Sequence, residues 1–422
     1  MSVELSANDR AMLDGERGEA ARLAMRIVVE LAGVMEADRL IDVASAHVDG
    51  CLYHGPASLE FAERLVAGGA TVSVPTTLNT GSLDLLHPEL VRETPERARA
   101  AGRQMELYEA MGCRPTWTCA PYQLPGRPSF GQHIAWAESN AIVFANSVLG
   151  ARTNRYGDFI DIAAAITGRV PRAGLHRDEN RRAELVFRLS GISDRLLAED
   201  VLYPVLGQLV GREAGSAVVA IEGLPPDTSE DWLKALGAAA ASSGSVALFH
   251  AVGITPEAPI LEAALGGRPS SRTVEVTPER LRDARDELGT TSREDLAAVS
   301  LGTPHFSLAE FESLMPLLDG IRVNPRVELF ISTGRDVLAE VERRGWLSDL
   351  QAAGARIVTD TCTYITPIMR VEDGPVMTNS AKCAWYAPMN VGAEVVFGSL
   401  EECARSAVRG RVWRDEGLWA DG

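Results

Sequence analysis

Residues 40–55, LIDVASAHVDGCLYHG, set the pattern by which the rest of the chain is read. The apolar run LIDVASAHV is expected to be a strand ending near His47. VDGCLYHG then reads as a loop broken by Gly50 and Gly55. Upstream, Met12, Ala20, Leu23, Ile27, Leu31 and Val34 recur at helical spacing across 8–35. Downstream come an expected helix at 57–68, a strand at TVSV and the polar loop PTTLNTGS.

That rhythm continues to the end. A charged amphipathic helix is expected at 92–111, and strands at PTWTCAPY and AIVFANSVLG. Further strands are expected at ELVFRL, SAVVAIEG, SVALFH, AVSLG, VELFIS and ARIVTDT. Helical stretches fall between most of them, at 194–212, 228–241, 277–289, 307–317 and 335–345. Strands alternating with helices predict an α/β fold with several mainly parallel sheets flanked by helices. In such sheets ligands bind beyond the carboxyl ends of the strands, between subdomains. At 422 residues the chain is long enough for two or three such subdomains, with GGRPSSRTVEVTPE at 266–279 as the expected connection.

Hydrophobic residues make up 46% of the chain and charged residues 23%, as in a soluble globular protein. With 41 basic residues against 58 acidic, the net charge of -17 argues against nucleic acid as a partner. No apolar run spans a membrane, and MSVELSANDRAML lacks the pattern of a signal peptide, so a cytoplasmic protein is expected. The six cysteines are widely spaced with no CxxC pair, which favours thiol or metal chemistry over a disulfide framework. Signatures of the P-loop, the nucleophile elbow, the HExxH metalloproteases and the dinucleotide fold are missing.

Several polar segments fall at expected strand ends. AHVDGCLYHG gathers His47, Asp49, Cys51, Tyr53 and His54 within eight residues. VPTTLNTGSLD offers Thr76, Thr77, Asn79 and Ser82 as hydrogen-bonding groups for carboxylate or hydroxyl, or as a simple helix cap. Cys119 lies where TWTCAPY meets a proline, and Glu138, Ser139, Asn140 and Asn146 follow. SLGTPHFS holds Thr303 and His305, and VTDTCTYITP holds Asp360, Thr361 and Cys362. In VMTNSAKCAWYAP, Asn379 and Ser380 lead into a helix whose first N–H groups suit an anion, with Lys382 beside them. The competing reading of each is structural: a buried polar turn, an inert cysteine, a capped helix with a solvated lysine.

None of these is specific alone, but their order is. The succession LDGERGEAARLAMRIVVELAG, AHVDGCLYHG, TTLN, TCAPY, AESNAIVFANSVLGARTNR, GTPHFS, DTC and TNSAK resembles the large subunit, or catalytic domain, of aconitase X across nearly the whole of 1–422. The resemblance implies an aconitase-like fold and a hydro-lyase of the iron–sulfur superfamily. It implies dehydration of cis-3-hydroxy-L-proline to 1-pyrroline-2-carboxylate or of mevalonate 5-phosphate. It also implies a small swivelling domain, which this chain is expected to lack and to receive as a separate subunit.

Position by position, the resemblance implies Cys119 and Cys362 as iron ligands. The archaeal type carries a third cysteine in GCPH, where this chain has Thr303. Cys51 is the first expected substitute and Cys383 the second, while Cys113 and Cys403 read as structural. The cofactor is then an iron–sulfur cluster, with 2Fe–2S among the candidates, or a mononuclear iron. His47, His54, His305 and Lys382 are the expected catalytic groups, and Thr76, Thr77, Asn79, Ser139, Asn140, Asn379 and Ser380 the expected substrate contacts. The catalytic base, a serine on the mobile domain in aconitase-type enzymes, would come from the partner. The missing third cysteine favours hydroxyproline as substrate. A phosphorylated one would call on Arg152, Arg155 or Lys382. A reading of another class, also motivated by Thr303, is a metal-free binding scaffold.

Overall fold

The computed structural model describes residues 3–419, so the outermost residues of the expected 1–422 region lie outside it. The chain forms two compact units. One comprises Met1–Leu83 with Glu93–Arg182, the other Asp84–Arg92 with Ala183–Gly422.

The first unit is built on a parallel three-stranded sheet ordered Thr76–Leu78, Ala46–Val48, Ala135–Trp136. A two-stranded antiparallel ribbon pairs Leu40–Asp42 with Arg169–Pro171. LIDVASAHV is therefore two short strands rather than one. The expected helix at 8–35 is also two, Ala7–Leu13 and Glu19–Val34, because Gly15 and Gly18 take the left-handed backbone that ends a helix. The second helix buries Ala20, Ala24, Met25, Val28 and Ala32, and these small side chains let it pack closely on the helix Ile160–Thr167.

Three expected strands do not form. TVSV is not a strand; the strand begins at Thr76, inside the expected polar loop. PTWTCAPY is loop, and AIVFANSVLG lies largely in the helix Ser139–Ser147, whose residues 140–147 are all buried. A helix apolar on every side shows no stripe, so a short run of this kind cannot be told from a strand by periodicity.

The second unit holds two parallel sheets. The four-stranded one is ordered Phe249–Ala251, Val219–Glu222, Leu185–Leu189, Arg272–Val276. Arg272–Val276 thus lies inside a sheet, and the connection expected at 266–279 is not a boundary. The five-stranded sheet runs Ala355–Val358, Glu328–Thr333, Ala298–Phe306, Val376–Thr378, Val395–Phe397. In chain order this is 3-2-1-4-5, so the connections reverse direction between Ala298–Phe306 and Val376–Thr378. That switch point opens a crevice at the carboxyl ends of the two strands, where such sheets bind ligands.

The helices Leu202–Ala214 and Glu230–Ser243 pack closely because Gly207 and Gly211 lack side chains. A Cβ on Gly207 would stand 2.2 Å from the carbonyl oxygen of Leu236. This contact holds in place the helix that carries Lys234.

Candidate active site

In the second unit the site grows from the end of Ala298–Phe306. Gly302 has φ +88, and a Cβ there would stand 2.1 Å from the carbonyl oxygen of Ser332. Only glycine allows the strand to press against its neighbour before the register shifts between Leu301 and Phe306. The shift presents Thr303 and His305, both buried. His305 Nε2 lies 3.1 Å from the Thr361 carbonyl, which accepts only. Nε2 therefore carries the proton and Nδ1 the lone pair. A ring nitrogen of His305 and Sγ of Cys362 lie within 4.8 Å of each other. A buried imidazole and thiolate so placed fit a soft or borderline metal such as iron.

The loop after Ala355–Val358 is held by charge. Asp360 has φ +62, an uncommon conformation for a side-chain-bearing residue. Its carboxylate takes two hydrogen bonds from Arg335, at 2.6 and 2.8 Å, and one from the Leu85 amide at 3.1 Å. Asp84 accepts from the Thr359 amide at 2.8 Å and from its hydroxyl at 2.9 Å. Asp84–Arg92 is thereby stitched to the segment that carries Cys362.

At the switch point, Ser380 caps the helix Ala381–Asn390, its hydroxyl accepting from the Cys383 amide at 3.0 Å. Asn379 bonds Asp200 through its side chain. Lys382 is buried. Cys383 is also fully buried, and burial pushes its thiol up to about 11, so it stays protonated in the interior. Lys234, which sequence reasoning missed, is 2% exposed and sits between Asp231, at 2.8 Å, and Glu310. Burial opposes its charge, but the two carboxylates outweigh burial and raise it. Burial lifts Glu310 to about 7 even so.

In the first unit, Cys119 is buried and its carbonyl accepts from Asn140 Nδ2 at 2.9 Å. Asn140 Oδ1 takes the Tyr122 hydroxyl at 2.6 Å, and Nδ2 also bonds Glu138. With both ends of its amide engaged, Asn140 positions the Cys119 loop, where a substrate contact was expected. Ser139 bonds Glu138 at 3.4 Å, and the Glu138 carboxylate caps the helix through the Ala141 amide at 2.7 Å. Thr76 donates to the Val74 carbonyl at 2.8 Å.

Cys51 is fully buried in the hydrophobic core of this unit. Its thiol contacts the carbonyls of Val48 and Asn79, each at 3.5 Å, and burial with nearby Asp49 pushes it well above the usual thiol range. A protonated core thiol is a poor ligand, and among the described residues it joins no metal-ligating cluster. Cys51, the expected third ligand, thus lies in the core of this unit rather than in that cluster.

His47 is fully buried, with Nδ1 2.8 Å from Thr77 Oγ1, and burial pushes it down to about 3. It is neutral at physiological pH. His54 is exposed and 3.5 Å from Asp158. Asp49, bonded by Asn79, is raised to about 8 by burial and then by Asp158 and Glu138. Asp161 accepts the amides of Asp49 and Gly50 at 2.7 and 3.0 Å, yet burial still lifts it to about 7. The proton available here at neutral pH rests on Asp49 rather than His47. The signal was the DG step itself, a carboxyl at a strand end with no lysine or arginine in its segment.

Parallel sheets with polar groups at their strand ends, and a thiol and imidazole that could hold a metal ion, define an α/β enzyme scaffold. Family models narrow this: residues 2–179 match the first domain of aconitase X, 183–286 the second and 296–409 the third. The chain belongs to the aconitase X family. It is 48% identical over 412 residues to a cis-3-hydroxy-L-proline dehydratase of Pseudomonas aeruginosa, covering 96% of this chain and 70% of that one. The corresponding enzyme of Hypocrea jecorina is 42% identical, covering 97% and 69%. A phosphomevalonate dehydratase large subunit of Methanothermobacter thermautotrophicus is 39% identical, covering 94% and 96%. The crystal structure of Thermococcus kodakaraensis aconitase X in its holo-form superposes with a TM-score of 0.86 at 35% identity, over 96% of this chain and all of that one. These findings bear out the resemblance and the fold read from sequence. Among the described residues no helix is long and apolar enough to cross a membrane.

Proposed function

We propose that this chain is the large subunit of a cytoplasmic hydro-lyase that converts cis-3-hydroxy-L-proline to 1-pyrroline-2-carboxylate. The observation that carries the reading is 48% identity to an enzyme of that name, against 39% to an archaeal phosphomevalonate enzyme. Cys119 and Cys362 are proposed as iron ligands, with His305 Nδ1 as the third in place of Cys51. The buried imidazole–thiolate pair supports this choice. When bound, iron supplies Lewis acidity that stabilises a departing oxygen.

The chain's own residues do the rest. His305 is oriented by the Thr361 carbonyl at its Nε2. Asp49 retains a proton at neutral pH and is the group suited to protonate the leaving hydroxyl, a role for which His47 stays too weakly basic. His54 and Lys382 remain candidates for proton handling. Thr77 and Asn79 orient His47 and Asp49. Loss of the C3 hydroxyl and the C2 proton leaves an enamine, which tautomerises to the imine. The base that takes the C2 proton is assigned to a small swivelling subunit, so the chain alone is expected to be nearly inactive.

The test is anaerobic co-purification with that small subunit, iron analysis, and product detection from both substrates. Turnover of mevalonate 5-phosphate without hydroxyproline would establish the second reading, which the near-complete coverage of archaeal large subunits favours. A pair free of iron would establish the scaffold reading.

A further inference from the structure

Asp49, Asp158 and Asp161 stand together in the first unit. Burial first, and then the charge of Asp158, raise both Asp49 and Asp161. The three carboxyls are engaged differently. Asp161 is wholly buried, and its oxygens accept the amides of Asp49, Gly50 and Ile162 at 2.7, 3.0 and 2.6 Å. It anchors the Asp49 loop. Asp49 is bonded by the Asn79 amide. Asp158 is 31% exposed along its side chain, and its one ion-pair partner among the described residues is His54, at 3.5 Å. His54 is 56% exposed and charged only when protonated. So long a contact to a solvated ring leaves the carboxylate open to a stronger donor.

Asn79 gives an independent sign of a ligand. It is 3% exposed, its Nδ2 bonds Asp49, and its buried Oδ1 has no hydrogen-bond partner. Buried amide oxygens are nearly always paired. Beside Asp49 there are thus acceptors in want of donors, the Asp158 carboxylate and the Asn79 oxygen. Among the described residues the three carboxyls do not bring their oxygens within 4.8 Å of one another as a set. That spacing is wide for a metal ion, whose oxygen ligands sit at about 2.0–2.6 Å. It suits N–H donors that reach about 2.8 Å to either side.

The substrate of the dehydratase reading carries such a group. Its ring nitrogen is an aliphatic amine, protonated at neutral pH as lysine is, with two N–H bonds. Mevalonate 5-phosphate has no nitrogen. We propose that Asp158 binds the ring ammonium of the substrate and selects a cyclic amino acid over an anion without nitrogen. One N–H donates to the Asp158 carboxylate, taking the place of His54, and the other faces Asn79 Oδ1. Held there, the ring turns its C3 hydroxyl towards Asp49. The inference deepens the dehydratase reading and rests on it.

The test is calorimetric binding of two unreactive ligands to the iron-loaded protein paired with its small subunit. One is L-proline. The other is cyclopentanecarboxylate, the same ring and carboxylate with carbon in place of nitrogen. Wild type is expected to prefer L-proline by about tenfold or more, the worth of a hydrogen bond between charged groups. Asp158→Asn should bind L-proline about tenfold more weakly and cyclopentanecarboxylate within about threefold of wild type, so that the preference collapses. Asp158→Glu keeps the charge and should recover part of it. A merely structural role would weaken both ligands alike and leave their ratio. No preference for L-proline in wild type, which needs no variant to fold, or a ratio unchanged in Asp158→Asn overturns the proposal. Turnover of cis-3-hydroxy-L-proline is measured in parallel. Turnover by wild type with the ratio intact in Asp158→Asn sinks the role of Asp158 and spares the dehydratase reading. Asp158-dependent preference for L-proline without turnover does the reverse.

Discussion

Arg335 holds Asp360 through two parallel hydrogen bonds, 2.6 and 2.8 Å long, two residues before Cys362. The Asp360 side chain is wholly buried, whereas that of Arg335 is 35% exposed. Removing the arginine leaves a buried carboxylate facing only the Leu85 amide. Arg335→Ala is expected to cost about 3 kcal/mol. Arg335→Lys keeps the charge but loses the two-pronged geometry, and should recover only part of that cost. Denaturant midpoints measure stability, and iron content after mild chelation measures the Cys362 loop. A variant as stable as wild type, with full iron, would show that the pair does not organise the loop.

The ligand assignment makes opposite forecasts for residues of similar burial. Cys362→Ser and His305→Ala should each strip most of the iron from the anaerobically purified pair. Cys51→Ala should keep it, because that thiol contacts only backbone carbonyls in the core. Its stability cost should be about 1 kcal/mol, that of a small core substitution. Metal analysis beside a melting curve separates the cases. Loss of iron from a well-folded Cys51→Ala would return Cys51 to the ligand set.

The outcome for Cys51 shows where the sequence was legible. The alternation of strands and helices was readable because each carries its own period, and it led to parallel sheets and their strand ends. Cys362 stood out in DTC after an apolar strand. The pairing of His305 with Cys362 could not be read, because 57 positions separate them and their strands meet only through a third, Glu328–Thr333, that lies between them in the sheet. Lys234 lies in a helix whose polar residues look solvated, and only the fold brings Glu310 against it and buries it. Cys51 looked available because its loop is polar, yet the loop folds its one thiol inward.

Asp49 predicts a pH dependence of stability. Its folded value, about 8, lies above the 3.8 of an unperturbed aspartate, so the folded state binds the proton more tightly. The associated stability is full below about pH 4 and is lost as pH rises towards 8. His47 acts oppositely, its lowered value making stability rise with pH up to about 6.5. Above that point Asp161 and Glu310 fall in the same direction towards 7. Between pH 6.5 and 8 Asp49 should account for about 1–2 kcal/mol of the stability that wild type loses. Asp49→Asn, which cannot ionise, should flatten much of that slope and abolish turnover. An unchanged slope in the variant would show that Asp49 does not carry the proton.

Lys234 ties the helix Glu230–Ser243 to Leu308–Leu318 through Asp231 and Glu310. Lys234→Met fills the same space without charge and leaves two carboxyl groups facing each other. The cost should depend on pH, because Glu310 titrates near 7 even with the lysine present and would rise further without it. At pH 6 Glu310 is protonated and can donate to Asp231, so the loss should be about 2 kcal/mol. At pH 8.5 the cost of ionising a second carboxyl, or of holding it protonated, adds to this and brings the total to about 3–5 kcal/mol. Chemical denaturation of wild type and Lys234→Met at the two pH values gives the difference directly. A cost independent of pH would mean that the lysine contributes packing alone, and that its charge is not what joins the two helices.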